Sequence, residues 1–188
     1  MIQTANRIAN VEEYYFSRKL AEVRGLDSPT HPVINLGIGS PDLAPSTNTI
    51  EALIQSAENP GNHGYQNYKG IPALRQAIVE FYARIYNVSL SPETQVLPLM
   101  GSKEGILHIA MAFANEGDEV LIPDPGYPTY ASVAKLVGAK IRTYAMKESL
   151  DWGVDVEALS KQDLSRVKIM WINFPHMPTG RIASRRLR

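Results

Sequence analysis

Apolar residues recur at helical spacing in the first part of the chain and mark strand-helix-strand intervals in the second. Between Val11 and Arg24 the chain carries apolar residues at Tyr14, Tyr15, Leu20 and Val23. They predict an amphipathic helix ended by Gly25 and the Ser28-Pro29 turn. Val33 to Leu36 reads as a short strand that runs into the turn-rich stretch from Gly37 to Asp42. Ser46 or Thr47 can cap a helix reaching Glu58, with Ile50, Leu53, Ile54 and Ala57 on one face. A loop dense in Asn, Gly and Tyr follows, from Asn59 to Lys69. Pro72 then falls in the first turn of a helix that runs to Tyr86, where its missing N–H does no harm.

Beyond this point the pattern changes. Val96 to Leu99 reads as a strand, followed by a small-residue loop and a helix from Glu104 to Asn115. Glu119 to Ile122 and Val167 to Ile172 are apolar strands and Lys140 to Tyr144 is another strand, with helices Tyr130 to Val137 and Asp155 to Ser160 between them. This alternation predicts an α/β fold with a mostly parallel sheet flanked by helices. Sheets of that kind hold ligands beyond the carboxyl ends of their strands. The loops after Leu99, Ile122 and Ile172 are therefore the candidates.

Composition narrows the function classes. Lys plus Arg is 19 and Asp plus Glu is 19, so the formal net charge is zero. No field favours nucleic acid or an acidic membrane. With no cysteine there is neither a disulfide framework nor a thiolate metal site. His31, His63, His108 and His176 do not stand at metal-ligand spacing. No run approaches a membrane span, and the first residues lack the apolar core of a signal peptide. The expectation is a soluble cytoplasmic protein without a metal.

Each of the three loops has a chemical reading beside an ordinary one. In Met100-Gly101-Ser102-Lys103-Glu104-Gly105, a helix start offers backbone N–H groups, a hydroxyl and a cation to a phosphate. Read alone it is more often a common strand-to-helix turn, and it lacks Walker A spacing. In Pro123 to Tyr130, rigid turn residues present Tyr127, whose ring can stack on a planar heterocycle or simply pack. In Asn173 to Gly180, Asn173 offers an amide and closely spaced breakers impose a defined path.

The order and spacing of these motifs are more specific than any one of them. GSKE, DPGYPTY and NFPHMPTG resemble the successive motifs of the class I/II aminotransferases. So do Asn35 to Asp42, similar to the family's G-x-P-D segment, and Tyr65 to Arg75, similar to its Y-x-x-x-x-G-x-x-x-L-R segment. The resemblance extends from Ile34 to Gly180. A nucleotide-binding Rossmann module fits less well, because Gly37-Ile38-Gly39 lacks the third glycine and the following helix.

The resemblance implies a partial fold type I large domain that binds pyridoxal 5'-phosphate. Residues 1–45 are then an N-terminal helix and arm, and residues 46–188 the N-terminal part of the cofactor-binding domain. By resemblance, Gly101, Ser102 and Lys103 hold the cofactor phosphate, and Tyr127 stacks on the pyridine ring. Tyr65 reaches a neighbouring subunit's phosphate in a homodimer. Asn173 lies at the cofactor, and Gly39 near the substrate carboxylate. Amino acids and 2-oxo acids are the implied substrates. Two departures stand out. The family asparagine that donates to the cofactor's phenolic oxygen is Met177 here, and a thioether cannot donate. The family's cofactor-linked lysine, the acidic partner of the pyridine nitrogen and the substrate-binding arginine all fall past the equivalent of Gly180. No catalytic residue is therefore assigned. The chain is expected to be inactive alone and to self-associate or pair with a second polypeptide. The alternative is a non-catalytic remnant or assembly partner that keeps part of the phosphate site.

Overall fold

The computed structural model describes residues 2–9, 11, 13–37 and 39–184. The chain forms two compact units, Tyr14–Pro98 and Met1–Glu13 with Leu99–Arg188.

The Tyr14–Pro98 unit is helical. It contains α1 (Tyr15–Leu26), α2 (Thr47–Glu58) and α3 (Pro72–Tyr86), with a short 3-10 turn at Pro60–His63. Ser46 starts α2 by accepting the Thr49 N–H on its hydroxyl at 3.3 Å, as the sequence predicted. Pro72 stands in the first turn of α3, and Asn87 ends that helix in the left-handed region at φ 55°. Arg75 on α3 is buried at 4% exposure and knits the unit together. Its Nε donates to the Pro92 carbonyl at 2.9 Å, its Nη1 to the Gly70 carbonyl at 2.6 Å, and its Nη2 meets the Glu93 carboxylate at 3.3 Å.

Three expectations change in detail. The helix placed from Val11 begins at Tyr15 and passes through Gly25 to Leu26. A single glycine costs a helix only about 1 kcal/mol, so it is not an obligatory stop. Residues 33–36 and 96–99 follow non-helical paths, but neither forms a strand. A strand exists only where a neighbour takes up its N–H and C=O groups. Among the described residues no strand pairs with either segment, and the Val33 N–H goes to the Asp27 carboxylate at 2.9 Å instead.

The second unit is the α/β part. It holds α4 (Ser102–Phe113), β1 (Glu119–Asp124), α5 (Pro128–Leu136), β2 (Lys140–Ala145), α6 (Val156–Ser160) and β3 (Val167–Met170). The strands form one parallel sheet in the order β2-β1-β3. The central strand β1 is nearly continuous in apolar character because both its faces are covered. Val120 and Ile122 pack with Ile106 and Ala110 of α4 and Tyr130, Val133 and Ala134 of α5. Leu121, pointing the other way, packs with Tyr144, Met146 and Leu159. Arg142 on β2 binds the Glu119 carboxylate of β1 at 2.9 Å and the Asp163 carbonyl ahead of β3 at 2.6 Å. The carboxyl ends of β1 and β3 thus open toward the loops beginning at Pro125 and Trp171. Among the described residues no helix is long and apolar enough to cross a membrane.

Candidate functional site

The α4 loop is open at its turn. Gly101 precedes α4 with φ 103°, a conformation that favours glycine. Nothing lies within 4 Å of where a Cβ would stand. No side chain caps the helix from this position. Ser102 and Lys103 begin the first turn, so their backbone amides belong to the positive end of a 12-residue helix. Glu104 reaches back, and its Oε2 accepts the Met100 N–H at 2.6 Å.

The β1 loop meets this turn. Gly126 is required by crowding, since a Cβ there would overlap the Pro123 carbonyl oxygen. Tyr127 follows it as the residue before α5, with Pro128 in the first turn. The Lys103 Nζ stands 6.0 Å from the centroid of the Tyr127 ring. That contact joins the phosphate-type loop to the aromatic loop and sets a cation beside an aromatic face.

Tyr127 is held from behind by other rings. Tyr130, one helical turn on, meets it edge-on at 5.8 Å and 80°. Tyr130 also stacks on Trp171 at 5.2 Å and 9°, just past the end of β3. The Tyr144 hydroxyl of β2 donates to the Trp171 carbonyl at 2.8 Å. Burial pushes both Tyr130 and Tyr144 above the ordinary phenol range, so both hydroxyls stay protonated. This Tyr127–Tyr130–Trp171 series escaped the sequence reading. The only hint was the spacing of Tyr127 and Tyr130, which cannot reveal the third ring some 40 residues away.

The β3 loop closes the group. The Asn173 Nδ2 donates to the Pro175 carbonyl at 3.3 Å, whereas its Oδ1 is buried without a partner. His176 is 3% exposed and shares a hydrogen bond of 2.8 Å between its Nδ1 and the Thr179 hydroxyl. Its Nε2 is buried and unpartnered. The Pro125 carbonyl faces the ring and favours the charged form, without reaching hydrogen-bonding geometry at that nitrogen. Met177 is 56% exposed.

The structure therefore brings the turn of Gly101, Ser102 and Lys103 against Tyr127 through the Lys103–Tyr127 contact, and Asn173 lies in the loop after β3. Gly39 and Tyr65 belong to the Tyr14–Pro98 unit. Gly39 lies in an exposed irregular stretch, and the Tyr65 side chain is fully exposed.

Comparison with known proteins places the chain in a family. The family model "Aminotransferase class I and II" matches residues 31–187. An LL-diaminopimelate aminotransferase of Dehalococcoides mccartyi is 40% identical over 185 residues, covering 97% of this chain and 47% of the relative. The LL-diaminopimelate aminotransferase of Aquifex aeolicus is 38% identical, covering 96% and 46%. Among solved structures, apo-BacF from Bacillus subtilis superposes with a TM-score of 0.89 at 34% identity, over 98% of this chain and 47% of that one. An alanine aminotransferase from Pyrococcus furiosus gives 0.88 at 30% identity over the same shares, 98% and 47%. The chain spans about half the length of the relatives it matches.

Enzymes of this family depend on pyridoxal phosphate, and the residues present fit two parts of that group. At Gly101 no side chain caps the helix and nothing crowds the Cβ position, which leaves the first-turn amides open to a phosphate, and Tyr127 beside Lys103 offers a ring face. The orphaned Asn173 Oδ1 leaves an acceptor available in the adjoining loop. Met177, a thioether, offers that group no hydrogen-bond donor.

Proposed function

This chain belongs to the class I and II aminotransferases, and on that premise we propose that it supplies the phosphate-holding and ring-stacking part of an amino-transfer site. The transfer runs between an amino acid and a 2-oxo acid. The observation that carries this reading is the Lys103–Tyr127 approach at the start of α4. When bound, pyridoxal phosphate supplies the electron sink for the bond changes. The Gly101, Ser102 and Lys103 amides, the Ser102 hydroxyl and the Lys103 charge would hold the phosphate at the helix start. Tyr127 would fix the plane of the pyridine ring, with Tyr130 and Trp171 preventing the tyrosine from swinging away. Tyr65 would contribute to a neighbouring subunit's phosphate in a homodimer, and Gly39 would leave space for the substrate carboxylate. A cytoplasmic setting suits soluble substrates of this kind. The curated relatives carry the name LL-diaminopimelate and one solved relative the name alanine. The reading therefore stops at the amino acid class.

No lysine of this chain is assigned to the covalent step, so binding and turnover separate. The test is a titration of the purified chain with pyridoxal phosphate, followed by Trp fluorescence in a Trp152→Phe background that leaves Trp171 as reporter. Saturable quenching is expected, with no single lysine labelled after borohydride reduction. Tyr127→Ala should weaken binding roughly fivefold, equivalent to about 1 kcal/mol of ring contact, while Tyr127→Phe keeps the ring and stays near wild type. No saturable binding refutes the site. Stoichiometric labelling of one lysine would instead make that residue the catalytic candidate.

A further inference from the structure

Glu104 has no part in the phosphate contacts described above, yet its carboxylate is engaged on both sides. It is the third residue of α4. Its Oε2 accepts the Met100 N–H at 2.6 Å. Its Oε1 stands 3.8 Å from Nε2 of His108, one turn along the same helix. An acidic side chain at this helical position commonly reaches back to the N–H of the capping residue itself. Here the capping residue is Gly101, and the bond goes one residue further out. It fastens the segment that enters the helix.

That placement has a consequence for the turn. Gly101 has no side chain with which to fix its own backbone, and nothing packs where its Cβ would be. A glycine so placed has wide conformational freedom unless its neighbours hold it. Ser102, on its far side, is held by the helix. Met100, on its near side, is 94% exposed, and the hydrogen bond from its N–H to Glu104 is its described restraint. We propose that Glu104 is a positioning residue for the phosphate turn. Its bond to Met100 N–H fixes the Gly101 backbone so that the first-turn amides converge on one phosphate. The inference rests on the pyridoxal-phosphate reading of the site and adds a residue to it.

The experiment compares wild type, Glu104→Ala and Glu104→Gln, each titrated with pyridoxal phosphate and separately with pyridoxal, which lacks the phosphate. Glu104→Ala should lose about tenfold in affinity for pyridoxal phosphate, the scale of one charge-assisted hydrogen bond. Glu104→Gln retains an oxygen acceptor and should recover to within about threefold of wild type. Affinity for pyridoxal should be the same in all three. Should the alanine variant fail to fold, Glu104→Asp takes its place, since it is one methylene too short to reach Met100. An equal loss for both ligands would show a merely structural role and overturn the proposal. So would wild-type affinity in the alanine variant. A wild-type chain that binds neither ligand refutes the reading of the site itself and the inference with it. The wild-type titration separates that outcome from a failure confined to Glu104.

Discussion

His176 is 3% exposed, and its two ring nitrogens differ: Nδ1 meets the Thr179 hydroxyl, and Nε2 has no partner. Desolvation lowers its pKa below the ordinary 6.5, against a smaller opposing effect of the Pro125 carbonyl. The sign follows directly. The unfolded chain binds a proton at this residue near pH 6.5, and the folded chain binds it only at lower pH. Its contribution to stability is therefore present above pH 6.5 and is lost as pH falls through the folded value. Melting temperatures from pH 7.5 to 5 should fall, and more steeply for wild type than for His176→Phe. Parallel profiles would show that His176 does not titrate in that window. The residue also shows what a sequence conceals. Lys103 and Tyr127 were legible because their loops have recognisable composition. The burial of His176 depends on a loop some 50 residues earlier, and no local pattern encodes it.

At the scale of elements, packing decides what local preference leaves open. The helices α2 and α3 matched their sequence signals because Ser46 and Pro72 act within one turn. Each of the three strands also falls where the sequence predicts one, since β2 and β3 both have β1 as a partner. Residues 33–36 and 96–99 have comparable composition and no partner, and composition alone cannot supply one. The energetic corollary is measurable by urea denaturation. Leu121, fully buried in β1, should cost about 2–5 kcal/mol when changed to Ala. Ile109→Ala, on the exposed side of α4, should stay within about 0.5 kcal/mol. Arg75→Ala leaves the Pro92 and Gly70 carbonyls without their donor and should cost about 1–3 kcal/mol. If Leu121→Ala were as mild as Ile109→Ala, the sheet core described here would be wrong.

For the molecule as a whole, the decisive feature is apolar surface that its own residues leave uncovered. In the α/β unit, Met111, Phe113, Ile172 and Met177 are each more than half exposed or at that level. Strands β2 and β3 each pair only with β1 among the described residues, so both outer edges of the sheet present unpaired backbone groups. Such edges, when not guarded by charge or covered, recruit other strands. Contiguous apolar surface acts in the same direction. The neutral overall charge adds no repulsion to oppose contact between copies. The chain alone should therefore associate in a concentration-dependent way. Sedimentation velocity across a wide concentration range should show a weight-average mass that rises above that of one chain. Met170→Lys, placing a charge on the outer strand β3, should shift that rise to higher concentration without altering the urea midpoint by more than about 0.5 kcal/mol. Met170 is 39% exposed, so the new ammonium can reach solvent from the strand. A mass that stays at one chain throughout would mean that the exposed edges do not drive assembly. An unchanged profile in Met170→Lys would place the contact away from β3, on the exposed side of α4 or elsewhere.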